Sequence, residues 1–486
     1  MTSPAIAANM TCCHALSSLL EGMVSYPAST AYEASLASYF TLQQAGIHPE
    51  CIVSPNTAHD VSRIMQVVTG DSQAPCAFAV RSGGHSTNPG ASNIQEGFTI
   101  DLRGLAGIEL NPDRSSVTVG SGNTWGSLYS YLDPWSLSVV GGRSYSVGVG
   151  GVITGGGISY FSPRYGWACD TVANFEVVLA NGSIINVNQQ QNTDLLWALR
   201  GGTNNFGIIT SMELLSFPQE GLWGGTSFHA PSTKDQEIDA LSRFSSGPYD
   251  EYASLIGTFR YDKTGSSIIN SMEYTRVDER PQVFQEFFQI PALNKTFGIA
   301  NMTSLSSGTE AMQSIGERAS YATVTIHPTA EAINTTVRAW NESLAMIQDV
   351  TGIAWALVLE PLPPSIYLRH AKENALGLED RQNKPLMVVL LSVTWSDVGD
   401  DNRVTLAMKS LISRIERDVG DLDALDPYLY LNYAAAWQDP IRSYGQSNLA
   451  KLAEIRKAYD PGNLFTDYVP GGFKIPRIPE DLGFRM

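Results

Sequence analysis

Apolar residues recur at three- and four-residue intervals through Leu16, Leu19, Leu20 and Met23 and again from Tyr32 to Ala45, which predicts helix across 13–46. From Cys51 the pattern changes. CIVSP is a short β-prone run, and Thr57 caps a helix whose apolar face is Val61, Ile64, Met65 and Val68 and which Gly70 ends. A strand from Cys76 to Val80 follows, so the segment predicts a β-α-β unit. Phe98 to Leu102 and Ser116 to Val119 alternate as short strands, with helix from Thr124 to Leu132. Phe175–Ala180 and Ser183–Val187 are joined by Asn181-Gly182, a pair that predicts a hairpin closed by a type I′ turn. Asn192 or Thr193 caps a short helix that stops at Gly201-Gly202, and Phe206 to Ser216 returns as a strand.

Beyond about residue 220 glycine thins out and the elements lengthen. Strands are predicted at Ser254–Tyr261, Ser267–Tyr274, Tyr321–His327, Ala354–Glu360 and Leu386–Trp395, and helices at 234–244, 281–289, 330–349 and 402–418. An antiparallel sheet with helices on one side accounts for both periods. The tail resumes the first texture, with YLYLNY (Tyr428–Tyr433) as a strand, helix at 447–459 and a break at Asp460-Pro461-Gly462-Asn463. The fold class is therefore α+β, with domain segments at 1–220, 221–427 and 428–486.

At 486 residues the chain exceeds the size of one core, consistent with two domains. Its net charge of −17 argues against nucleic acid or an anionic membrane surface as partner. No apolar run approaches the ~20 residues of a membrane-spanning helix. Five cysteines, Cys12, Cys13, Cys51, Cys76 and Cys169, lack metal-site spacing, so no metal is expected. A bridge from Cys12 or Cys13 to Cys51 suits an oxidising compartment; five buried thiols is the alternative. Sequons at Asn9, Asn181, Asn294, Asn301, Asn334 and Asn341, with a trimmed signal peptide, would place the protein in the secretory pathway, and glycan mass on the native protein tests this. The sequence sets no oligomeric state.

Candidate chemistry concentrates in two glycine-rich stretches. After the predicted strand ending at Val80 come Arg81, Ser82, Gly83, Gly84, His85 and Ser86, where small residues expose backbone N–H groups suited to a diphosphate. Val140 to Asp170 carries Ser144, Val147, Gly148, Gly150, Gly151, Gly155, Gly156 and Ile158 with little side-chain bulk, as if something flat or charged lay on the backbone.

SGGHS, VGVGG, GGGISYFSPRYGWACD, DLLWALRGGTNNFGIIT, YLNY and AYDPGNLF, in this order, resemble the berberine bridge enzyme-like FAD-linked oxidases of the vanillyl-alcohol oxidase and p-cresol methylhydroxylase superfamily. The resemblance runs from about Cys51 to Phe465 and is least in the middle. It implies a two-lobed FAD-binding domain of the p-cresol methylhydroxylase type, made from the N-terminal stretch and the chain end, with a substrate domain inserted between. His85 matches the histidine bonded to the flavin 8α carbon. The cysteine of bicovalent members is Ser144 here, which implies a single covalent bond. Asn205, Gly207 and Ile208 match the cofactor side, Val152 stands where berberine bridge enzyme has a histidine, and Val147 matches a position that gates oxygen.

For catalysis the resemblance points to YLNY. Asn432 is expected on the flavin and Tyr433 as a phenolate base, which needs a nearby positive group or a hydrogen-bond network. Strand alternation would separate the two, so a bulge or strand end is required and Tyr430 is the reserve base. Glu360 reads either as a carboxylate over the flavin or as a surface acid beside Pro361. Arg143 and Tyr145 read as pocket or turn residues, and Trp197 and Phe206 as packing. The implied activity is hydride transfer from an alcohol, sugar or secondary-metabolite intermediate to FAD and then to O2. The alternatives are an oxidative or non-redox cyclase and a flavin-containing binding protein without turnover.

Overall fold

The computed structural model describes residues 4–70, 76–312 and 315–477. Three sheets organise the chain. The first is built on Cys51–Val53 and Phe78–Arg81, each parallel to Phe98–Asp101 between them, with Val24–Ser25 antiparallel at the edge. The predicted β-α-β unit therefore holds its helix, Ala58–Thr69, but its two strands are separated by a third. The predicted N-terminal helix is three pieces, Pro4–Leu19, Thr30–Ala37 and Leu42–Ala45, because Ser29 and Thr41 each cap a fresh start. Cys13 is bridged to Cys51 and Cys12 to Cys76, tying the first helix to this sheet. Cys169 is a buried free thiol.

The second sheet is antiparallel and centres on Ile208–Pro218, flanked by Ser116–Gly120 and Val172–Val178. The hairpin Val172–Val178/Ile184–Asn188 forms as predicted, but its turn differs: only Gly182 takes positive φ, +81°, while Gly182 N–H bonds Leu179 O at 2.9 Å. An ordinary turn followed by a left-handed glycine does the work assigned to a type I′ pair.

The third sheet has nine strands, all antiparallel, drawn from Leu222–His229 through Leu386–Trp395 together with Leu425–Asp426. The predicted strands and helices of this region are all present; the strands Leu222–His229, Ala292–Lys295, Gly298–Ala300 and Leu425–Asp426 and the helices Met302–Glu310 and Pro364–Tyr367 are additional. Along Ala354–Leu362, Trp355, Leu357 and Leu359 are buried against the layer containing Ile333, Val337, Val404, Met408 and Leu411. Ala354, Ala356, Val358 and Glu360 face the other way, into a cavity. No described helix is long and apolar enough to cross a membrane.

Tyr428–Tyr433 is not a strand. Leu431–Tyr433 forms a 3₁₀ turn in which Tyr433 N–H bonds Tyr430 O at 3.0 Å. Residues three apart eclipse on such a turn, so Tyr430 and Tyr433 meet edge to face at 4.9 Å.

Candidate active site

A cavity of about 540 Å³ lies between the glycine-rich loops and the open face of the nine-stranded sheet. Ser82, Gly83, Gly84, His85, Ser86, Ser144, Val147, Gly148, Gly150, Gly151, Ile158, Gly207 and Ile208 line it, as do Tyr430, Asn432, Tyr433 and Glu360. The two loops touch: a Cβ on Gly83 would lie 2.5 Å from Gly148 N, so only glycine permits this approach. The His85 ring stacks on Phe40 with centroids 3.8 Å apart.

Four expected cofactor contacts stand away from the cavity. Arg81 is fully buried and turns toward the second helix, donating to Ser35 O at 2.6 Å and Ser38 Oγ at 2.8 Å. Gly155 is required because a side chain there would strike the Asn432 amide, and Gly156 takes φ +104° beside Leu376 and Trp167. Asn205 donates to Phe473 O at 3.0 Å and accepts from Ile475 N–H, fastening the chain end.

The 3₁₀ turn removes the difficulty with alternation. Asn432 donates to Val152 O at 3.0 Å and to the Tyr430 hydroxyl at 3.1 Å, which also accepts from Ile158 N–H. The Tyr433 hydroxyl donates to Glu360 Oε1 at 2.8 Å, and Arg143 Nη2 bridges Glu360 Oε2 at 2.7 Å and the Tyr433 oxygen at 2.8 Å. Glu360 is 3 % exposed, not a surface acid. Burial and then Glu360 push the Tyr433 phenol well above its ordinary range, against the pull of Arg143. Burial works against the Arg143 charge, yet Glu360, Tyr433 and Tyr160 hold it well above the usual arginine range. A positive group is thus present beside Tyr433, but Glu360 cancels its effect on the phenol.

Glu273 extends this cluster. It is 2 % exposed; Oε1 accepts from Ser271 Oγ at 2.8 Å, and Oε2 has no hydrogen-bond partner among the described residues. Burial pushes its carboxyl up to about 8, partly offset by Ser271 and Arg143. The folded form therefore keeps a proton that the unfolded chain loses near 4.5, so stability falls as pH rises from there to about 8. Glu273→Gln is expected to be more stable than the parent by a few kcal/mol at pH 8, with the gap closing by about pH 5, in urea unfolding at both values.

Tyr145 lies against Gly126, Trp197 and Phe206 are buried in the core, and Val152 lends its carbonyl to Asn432. Sequence reasoning missed Phe40, Arg260, Tyr321, Asn204 and Phe473 on the cavity wall. Of these, Arg260 was detectable, as a cation on the inward-facing positions of the predicted strand Ser254–Tyr261.

FAD fits this lining. Ser144 Oγ is a buried polar atom with no partner among the described residues, the Gly83/Gly148 contact leaves bare backbone beside it, and a Cβ on Gly151 would meet only open space. Residues 49–188 match the family model described as FAD binding domain, and 429–468 match Berberine and berberine like. The FAD-dependent monooxygenase sdcF of Emericella nidulans is 38% identical over 477 residues, 96% of this chain and 98% of that protein. The chain belongs to the berberine bridge enzyme-like FAD-linked oxidoreductases. A Diaporthe leptostromiformis protein named Oligopeptidase PhomG' is 41% identical over 94% of this chain, which spans 37% of that longer protein. Glucooligosaccharide oxidase of Acremonium strictum, whose FAD is described as 6-S-cysteinyl, 8α-N1-histidyl, shares the fold with TM-score 0.78 at 17% identity over 96% of this chain and 100% of its own. This family member is accordingly an α+β enzyme of the FAD-binding oxidase fold.

Proposed function

We propose that this family member is an oxidase for a small organic alcohol, sugar or secondary-metabolite intermediate: a hydride leaves carbon and a proton leaves oxygen as a carbonyl forms, and O2 becomes H2O2. FAD, when bound, supplies the two-electron acceptor that takes the hydride and returns the electrons to O2. Segments 1–220 and 428–486 hold it, with the Ser82–Ser86 backbone and Gly148, Gly150, Gly151 and Asn432 as contacts, and 221–427 hold the substrate. The observation that best supports this reading is the Tyr433–Glu360–Arg143 cluster, at 2.7–2.8 Å, on the wall of a glycine-lined cavity. Because a standing phenolate is costly here, Tyr433 accepts the substrate hydroxyl proton as its own passes to Glu360, and Arg143 keeps both oxygens in place. Val147, small and on the cavity wall, leaves room for O2.

His85 is the single covalent anchor, since Ser144 offers no thiol for a second bond. Acid-precipitated protein is expected to keep its yellow colour in the pellet, and His85→Ala to release it; a colourless pellet from the parent removes the bond.

Dithionite-reduced holoenzyme is expected to reoxidise rapidly in air, and persistence of the reduced spectrum for minutes counts against an oxidase. The name of the E. nidulans relative makes oxygen insertion the second reading. Product mass separates them: loss of two hydrogens supports the oxidase, gain of one oxygen the monooxygenase, and no change a non-redox cyclase.

A further inference from the structure

We propose that Arg260 forms an anion subsite at the far end of the substrate cavity, so that the substrate is an elongated, largely apolar molecule bearing a carboxylate or comparably acidic group. This rests on the proposed reading for which end of the cavity reacts. Arg143 and Arg260 are the cations among the described lining residues. The first is spent, its guanidinium bonded to Glu360 at 2.7 Å. Arg260 is only partly so: its Nε is ion-paired with Asp262 Oδ2 at 3.1 Å, its side chain is 30 % exposed, and neither Nη has a hydrogen-bond partner among the described residues. The other oxygen of Asp262 is held in the hairpin turn by Thr264 N–H at 2.8 Å and Thr264 Oγ1 at 2.6 Å. One edge of the guanidinium is thereby pinned, and the rest of its fork is available to a planar two-oxygen group. In a chain of net charge −17, an anion needs such a local cation.

Register gives the spacing. Arg260 pairs with Ala356, which pairs with Ser392, which pairs with Tyr321, making a row across four strands that ends in the hydroxyls of Ser392 and Tyr321. Glu360 lies four residues along the same strand from Ala356, roughly 13 Å of extended chain. Between the two ends the register row is Thr258, Val358 and Leu390, with Ile269 beyond Thr258, a mostly apolar surface for an aromatic or aliphatic body. With side chains reaching in from both ends, the acidic group sits roughly 10 Å from the reacting carbon.

The probes are 4′-(hydroxymethyl)biphenyl-4-carboxylate and its carboxamide, titrated into the anaerobic holoenzyme and read by calorimetry. The acid is expected to bind about tenfold tighter than the amide, and Arg260→Gln to abolish that preference while holding the amide affinity within about twofold. Retained amide affinity shows that the variant is folded; if Arg260→Gln does not accumulate, Arg260→Lys, which keeps charge but loses the fork, should lower the preference by about threefold. Equal or absent binding of the two probes to the parent overturns the subsite, as does a preference that survives in the variants. Acid preference without oxidation of either probe upholds the subsite and counts against the oxidase reading; oxidation without preference does the reverse.

Discussion

Glu360→Gln is expected to slow substrate oxidation by about 10²–10⁴-fold, the range a positioned proton acceptor contributes. The amide oxygen still accepts the Tyr433 hydrogen bond now made at 2.8 Å, so the tyrosine keeps its place, but the proton has nowhere to go. Stopped-flow reduction of the enzyme-bound flavin under nitrogen isolates this step from reoxidation. A rate within about threefold of the parent would take Glu360 out of the proton path.

Arg143→Met is expected to cost about 3–5 kcal/mol of folding stability, because it leaves a carboxylate that is 3 % exposed without its cation. Adding Glu360→Gln should restore most of the loss, since the damage lies in the unpaired charge and not in the missing side chain. Urea midpoints of the four proteins in this cycle measure the coupling. If the double variant unfolds where Arg143→Met does, the two residues are energetically independent.

Much of the architecture was legible in the sequence because it rests on long, regular periods. Leu386–Trp395 was found with its exact bounds, and the helix Asp401–Gly420 within two residues, since their apolar faces meet a single continuous core. YLYLNY was misread because its aromatic, β-prone composition describes local preference only. In the folded chain the Tyr430 hydroxyl meets Ile158 N–H and Asn432 reaches Val152 O, contacts 272 and 280 residues distant in sequence, and these select the tighter turn. Arg81 was read with the cavity for a related reason: it immediately precedes a loop that lines it, but its side chain bonds Ser35 and Ser38, 46 and 43 residues earlier in sequence. Arg143 and Glu360 each stayed ambiguous alone. Neither short-range pattern contains the other, and only their ion pair gives both a meaning.

Arg143, Glu360 and Tyr433 come from a loop, an inserted strand and the tail, with 217 and 73 residues between successive partners. No contiguous fragment short of some 290 residues contains all three. Truncations made to find a minimal active piece should therefore yield flavin binders or inert sheets, never a slower enzyme, and the three groups can come together only once synthesis has passed Tyr433.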